Sequence, residues 1–133
     1  MKREIKFRAW DNRNKKMLKV AGVELISGRE IVSVGTLLPD EVVYGKVNGS
    51  NLSLMQYTGL KDKNGREIYE GDVLDIGLLN QDGNPILAPV SYEAYLAGYV
   101  LYNEGHGIWQ RIGGGCEVIG NIYENPELME ADK

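Results

Sequence analysis

Leu54-Met55-Gln56-Tyr57-Thr58-Gly59-Leu60-Lys61-Asp62-Lys63-Asn64-Gly65-Arg66-Glu67-Ile68-Tyr69-Glu70-Gly71-Asp72-Val73-Leu74-Asp75-Ile76 carries the clearest local signal in the chain. Asn64-Gly65 suits the two left-handed positions of a type I′ turn, whose twist matches that of the strands it joins. Glu70-Gly71-Asp72 then turns the chain into Val73-Leu74-Asp75-Ile76. The stretch reads as a β-hairpin followed by another strand.

The same pattern extends in both directions. Toward the N-terminus, Ile5-Lys6-Phe7-Arg8-Ala9 alternates apolar and basic, the period of a half-buried strand. Trp10 and the turn-forming Asp11-Asn12-Arg13-Asn14 follow. Met17-Leu18-Lys19-Val20 returns as the second arm of a hairpin, with its basic residues expected on one solvated face. Residues 23–34 read as two strands around Ser27-Gly28. A break runs from Gly35 to Asp40, and Val42-Val43-Tyr44 and Leu52-Ser53-Leu54-Met55 flank Asn48-Gly49-Ser50.

Toward the C-terminus, residues 80–89 read as a polar loop and the place for any internal boundary within a single domain covering 1–133. Ser91 to Ala97 is expected as a short helix capped by Ser91. Gly98 to Tyr102, Ile108 to Ile112 and Cys116 to Tyr123 read as strands. Asn125-Pro126-Glu127-Leu128 has a cap, then proline at the first helical position, then an acid, so a short terminal helix is expected. The seventeen glycines punctuate short apolar runs, as many short strands require. The fold class is therefore mainly β, a β-rich α+β chain of short antiparallel hairpins.

Composition narrows the function classes. With 133 residues, 43% hydrophobic and 26% charged, the chain has the makeup of an ordinary globular domain rather than a disordered or fibrous one. Cys116 is the only cysteine, so no internal disulfide forms, and a reducing compartment is expected. The first residues lack the apolar run of roughly 7–15 residues of a secretory signal. No segment approaches the ~18 apolar residues of a spanning helix. A cytoplasmic protein without membrane contact is expected.

The net charge of −4 conceals a polarity. Residues 1–20 hold eight basic side chains against Glu4 and Asp11, a net of +6, leaving −10 for the remainder. Such a basic edge meets either nucleic acid or an acidic protein surface, its own or a neighbour's. The acidic balance of the whole favours the protein surface.

Residues that could carry chemistry fit simpler roles. His106 in Gly105-His106-Gly107 and Cys116 lie on either side of a strand roughly 17 Å long, too far for a dyad. Two such residues are also too few for a zinc site. Asp62-Lys63-Asn64-Gly65 fails the EF-hand spacing, since glycine falls at position 4 rather than 6. Gly113-Gly114-Gly115 leads into an acidic strand rather than a helix, so it reads as a flexible loop, not a phosphate cradle. Glu67, Glu70, Asp72 and Asp75 are close enough in sequence to hold a divalent ion, but acids at turn edges are more often solvated. Tyr92, Tyr95, Tyr99 and Tyr102 suit either a helix face or strands, and are expected in the core and at a subunit interface. No cofactor is expected.

Three blocks taken together resemble the YopX family, small proteins encoded by phages and prophages. They are Phe7-Arg8-Ala9-Trp10-Asp11 with Lys16-Met17, Leu54 to Asp72, and Val118-Ile119-Gly120-Asn121-Ile122-Tyr123-Glu124-Asn125-Pro126-Glu127-Leu128. The resemblance implies a β-rich, self-associating chain in a bacterial host cytoplasm, with a small, strongly bent, barrel-like C-terminal part. No catalytic residue carries over from it. The expected function is a non-enzymatic phage accessory protein that assembles as a homo-oligomer and binds a phage or host macromolecule. The alternative is nucleic-acid binding by the basic hairpin through Lys6, Arg8, Trp10, Arg13, Lys15 and Lys16. A third reading is an enzyme using the carboxylates between Glu67 and Asp75.

Overall fold

A computed structural model describes residues 4–26, 29–35, 42–46 and 52–130, with side chains described for 4–20 and 52–129. The breaks expected at Ser27-Gly28, within 36–40 and at Asn48-Gly49-Ser50 lie outside these residues. The described chain is mainly β, with two antiparallel sheets, one of them curled into a half-barrel. It divides into two compact units, residues 1–56 and 57–133.

In the first unit β1 (Phe7–Asp11) pairs with β2 (Lys16–Ile26) on one side and with the start of β5 (Leu52–Lys61) on the other. β2 continues to β3 (Arg29–Gly35), which pairs with β4 (Val42–Lys46). The apolar runs at 17–20 and 23–26 form one strand rather than two. A register shift between Val20 and Gly22 absorbs the interruption as a bulge. Alternation puts Ala9, Leu18, Leu52 and Leu54 on one face, where Leu52 is buried against Leu18, Val20 and Leu54.

In the second unit the far half of β5 pairs with β6 (Glu67–Tyr69). The sheet beyond has the order β10-β9-β8-β7-β11, from β7 (Asp72–Leu79), β8 (Pro85–Glu93), β9 (Gly98–Asn103), β10 (Ile108–Arg111) and β11 (Glu117–Asn121). Leu74 opposes both Ala88 and Val118, and Val90 opposes Leu101, so these side chains share one face. With Ile68, Ile76 and Cys116 they form the core. Full burial of a leucine such as Leu74 or Leu101 contributes about 1.5–3 kcal/mol. α1 (Glu127–Glu130) lies against β8, and its Leu128 approaches Gly120 of β11. A Cβ on Gly120 would stand 2.6 Å from Asn125 Oδ1 and 2.8 Å from Leu128 Cδ1, so only glycine fits there. The expected cap Asn125 turns its side chain back, where its Oδ1 accepts from the Asn121 amide at 3.3 Å.

The 62–66 turn is not type I′. Only Gly65 is left-handed (φ 83°), and Gly65 N donates to the Asp62 carbonyl while Asp62 N donates to the Arg66 carbonyl. This is a three-residue loop, a type I turn closed by a glycine bulge. Asp62 selects it. Its Oδ1 accepts from the amides of Asn64 and Arg66, both at 2.9 Å, which spares Asn64 a left-handed conformation. The next hairpin repeats the design. Asn80 Oδ1 accepts from Asp82 and Asn84, and Gly83 has φ 81°. Residues 80–89 are therefore a tight turn followed by β8, not a long loop.

The helix expected from Ser91 is also replaced. β8 runs to Glu93, held by the pairs Ser91–Val100, Tyr92–Tyr99 and Glu93–Gly98. A single 3-10 turn, Ala94–Leu96, follows, with Glu93 accepting from Tyr95 N at 3.2 Å and Ala97 left-handed. Extending a sheet ladder outweighs the weak propensity of a segment too short to nucleate a helix.

Candidate functional site

The basic hairpin is built around its own acid. Lys15 N donates to the Asp11 carbonyl at 2.8 Å, and the Asp11 carboxylate accepts from Arg13 N, Asn14 N and Asn14 Nδ2. These bonds, led by the Asn14 amide and helped by the Lys16 charge, hold the Asp11 carboxyl below its ordinary value. Lys15 itself is left-handed (φ 56°), an unusual conformation for a side-chain-bearing residue, held within a turn closed by these four bonds. The result presents Arg13, Lys15 and Lys16 together and exposed at the tip.

The remaining candidates do not join them on one solvated face. Arg8 opposes Lys19 and Met55, and Trp10 opposes Met17 and Ser53, so Arg8, Trp10 and Lys19 share a face with apolar side chains. Asp11 opposes Lys16 and Leu52, so Lys16 belongs to the other face. Lys6 pairs with Glu4 at 3.0 Å, and Arg8 is half-buried. Trp10 is only 6% exposed, so its ring offers no stacking surface and acts as core. Of the six residues, the structure brings together Arg13, Lys15 and Lys16.

Two of the acids around β6 and β7, Asp72 and Asp75, accept from backbone amides. Asp72 is buried, and its Oδ2 accepts from Tyr69 N at 2.8 Å. Asp75 Oδ1 accepts from Gly77 N. Glu67 opposes Lys61 across the β5–β6 ladder. Among the described residues no three His, Cys, Asp or Glu side chains are grouped to hold a metal ion. His106 closes the β9–β10 turn, whereas Cys116 is packed in the core.

Two features escaped sequence reasoning. The first is a clasp between the 62–66 turn and β11. Asp62 Oδ2 accepts from the buried Val118 N at 2.9 Å, Lys63 N donates to the Cys116 carbonyl, and Asn64 Nδ2 donates to Glu117 Oε1. The Val118 amide is the largest influence lowering the Asp62 carboxyl below its ordinary value; the Arg66 and Asn64 amides add to it and burial opposes it. The clue lay in Asp62 standing three residues before Gly65, although its second oxygen's partner is 56 residues away. The second feature is a set of aromatic side chains along β8, β9 and β10, divided between the two faces of that sheet. Tyr92 and Tyr99 pack edge to face across the ladder at 5.4 Å, and Tyr95 is 87% exposed. Tyr102 and Trp109 oppose each other on β9 and β10, and both are exposed. The tyrosines therefore lie on strands and at their ends, and Tyr92, Tyr95 and Tyr102 are outside the core.

No helix among the described residues is long and apolar enough to cross a membrane. No protein of curated function matches the chain significantly. Among solved structures, it is similar to a crystal structure of protein EF1440 from Enterococcus faecalis. The two share 28% identity over 96% of this chain and 99% of the other, with a TM-score of 0.62. A family model described as YopX protein matches residues 6–130. All three sequence blocks fall within that span, and the chain belongs to the YopX family.

Proposed function

We propose that the protein is a non-enzymatic accessory protein of phage or prophage origin, acting in the bacterial cytoplasm by assembling with copies of itself and binding another macromolecule. The observation that carries this reading is the division of charge between the units. Residues 1–56 hold ten basic and six acidic side chains, a net of +4, and residues 57–133 hold five and thirteen, a net of −8. Opposite potentials on separate units steer association between macromolecules. The carboxylates nearest to forming a reactive group are instead spent on backbone amides, which supports binding over catalysis. Size-exclusion chromatography with light scattering at low and high salt tests this. Assembly that weakens with salt supports the reading, and a strict monomer at high micromolar concentration overturns it.

The exposed cluster Arg13, Lys15 and Lys16 favours one second reading, contact with nucleic-acid phosphates through the hairpin tip without base stacking by Trp10. Reversing these three residues to Glu abolishes a low-salt gel shift if that reading holds. A shift unchanged by the reversal removes it.

A further inference from the structure

The five-stranded sheet treats its two edges differently. Along β11 the clasp occupies the Val118 amide and the Cys116 carbonyl. At the other edge, β10 pairs with β9 alone among the described residues. Edge strands offer their backbone to any strand that matches, and proteins usually guard them with proline, charge or a bulge. β10 has neither proline nor a bulge in its ladder, and Trp109 on it is 56% exposed. Within a unit of net −8, residues 105–116 carry no acid at all.

We propose that two copies of the chain pair antiparallel through β10, with Gln110 on the twofold axis, so that the two sheets continue into one another. This inference rests on the self-association proposed above and names its surface. The sequence Ile108-Trp109-Gln110-Arg111-Ile112 is self-complementary about its centre. A twofold axis relating antiparallel edge strands runs perpendicular to the sheet, so like faces continue across the junction. Directly opposed residues then have the same parity. Centred on Gln110, Ile108 meets the partner's Ile112, and Trp109 meets the partner's Arg111, each contact occurring twice. Ile108 and Ile112 both pack at the margin of the core, so their pairing extends it. Trp109 and Arg111 lie with Tyr102 on the opposite face, where indole and guanidinium form a cation–π pair. Moving the centre to Trp109 sets Arg111 against Gly107 and Ile108 against Gln110, and moving it to Arg111 sets two guanidinium groups together. The Gln110 register alone satisfies both faces.

Three variants of the full chain test the register. Gln110→Glu and Gln110→Lys each place like charges on the axis and weaken dimerisation about fivefold. An equal mixture of the two restores it. Gln110 is exposed, so both variants keep the fold. In Gln110→Cys, the two Cα atoms stand about 4.5–5.5 Å apart across the ladder, within disulfide range. Oxidised glutathione then yields a covalent dimer, whereas Tyr95→Cys yields none. Assembly that persists unchanged in both charge variants, with no covalent dimer from Gln110→Cys, overturns this interface and leaves self-association standing. A wild-type chain that stays monomeric throughout overturns both.

Discussion

Asp62→Asn removes one oxygen acceptor and leaves the shape of the side chain intact. Asp62 is 7% exposed and accepts three amide hydrogen bonds of 2.9 Å, two on Oδ1 within its own turn and one on Oδ2 from Val118. In the asparagine variant the retained carbonyl oxygen keeps the turn, and the new NH2 group confronts the Val118 N–H, donor against donor. A hydrogen bond to a charged acceptor contributes about 1.5–3 kcal/mol, and stranding the buried amide adds to the loss. The variant is expected to lose about 2–4 kcal/mol at neutral pH, read as a lower urea midpoint. The effect depends on pH with a definite sign. The folded-state pKa of Asp62 lies below its ordinary value of 3.8, so its contribution is present above that value and is lost as pH falls through the folded value. The gap between wild type and variant therefore narrows only in acid, below about pH 4. A variant within about 0.5 kcal/mol of wild type at pH 7 refutes the clasp as a stabilising element.

Gly120→Ala pushes a methyl into Asn125 and Leu128 and is expected to cost about 1–3 kcal/mol in thermal or urea unfolding, with partial recovery in Gly120→Ala/Leu128→Ala. Gly65→Ala and Gly83→Ala each force alanine into a left-handed turn with open space around it. Each should cost about 1–2 kcal/mol, and the two losses should be alike because the turns share one design. Reversing Arg13, Lys15 and Lys16 to Glu should lower the melting temperature modestly, since all three are exposed but Lys16 supports the Asp11 carboxylate, while changing the salt dependence of association.

The sheet-rich fold was legible because alternation and turn residues are local. Ile5 to Ala9, Ile108 to Ile112 and the glycine-closed turns signalled strands without knowledge of their partners. What depended on distant residues was not legible. Asn64-Gly65 alone favours a type I′ turn, and the Asp62 carboxylate tips it to type I with a bulge. Pro85 and Pro89 argue locally against a strand, yet Pro85 sits at the first residue of β8, where a missing donor is tolerated. The Ser91 segment joined β8 because β9 was there to receive it. In the candidate site, the basic hairpin was recognisable from charge, but the half-burial of Arg8 and the burial of Trp10 follow from β1 lying between two strands. β10 was legible as a strand; its position at an edge was set by the topology.

Sedimentation equilibrium of the wild-type chain from low to high micromolar concentration tests most directly the claim that this protein works by assembly. A mass rising to a multiple of 14.8 kDa is the predicted result, and a constant 14.8 kDa across the whole range contradicts it.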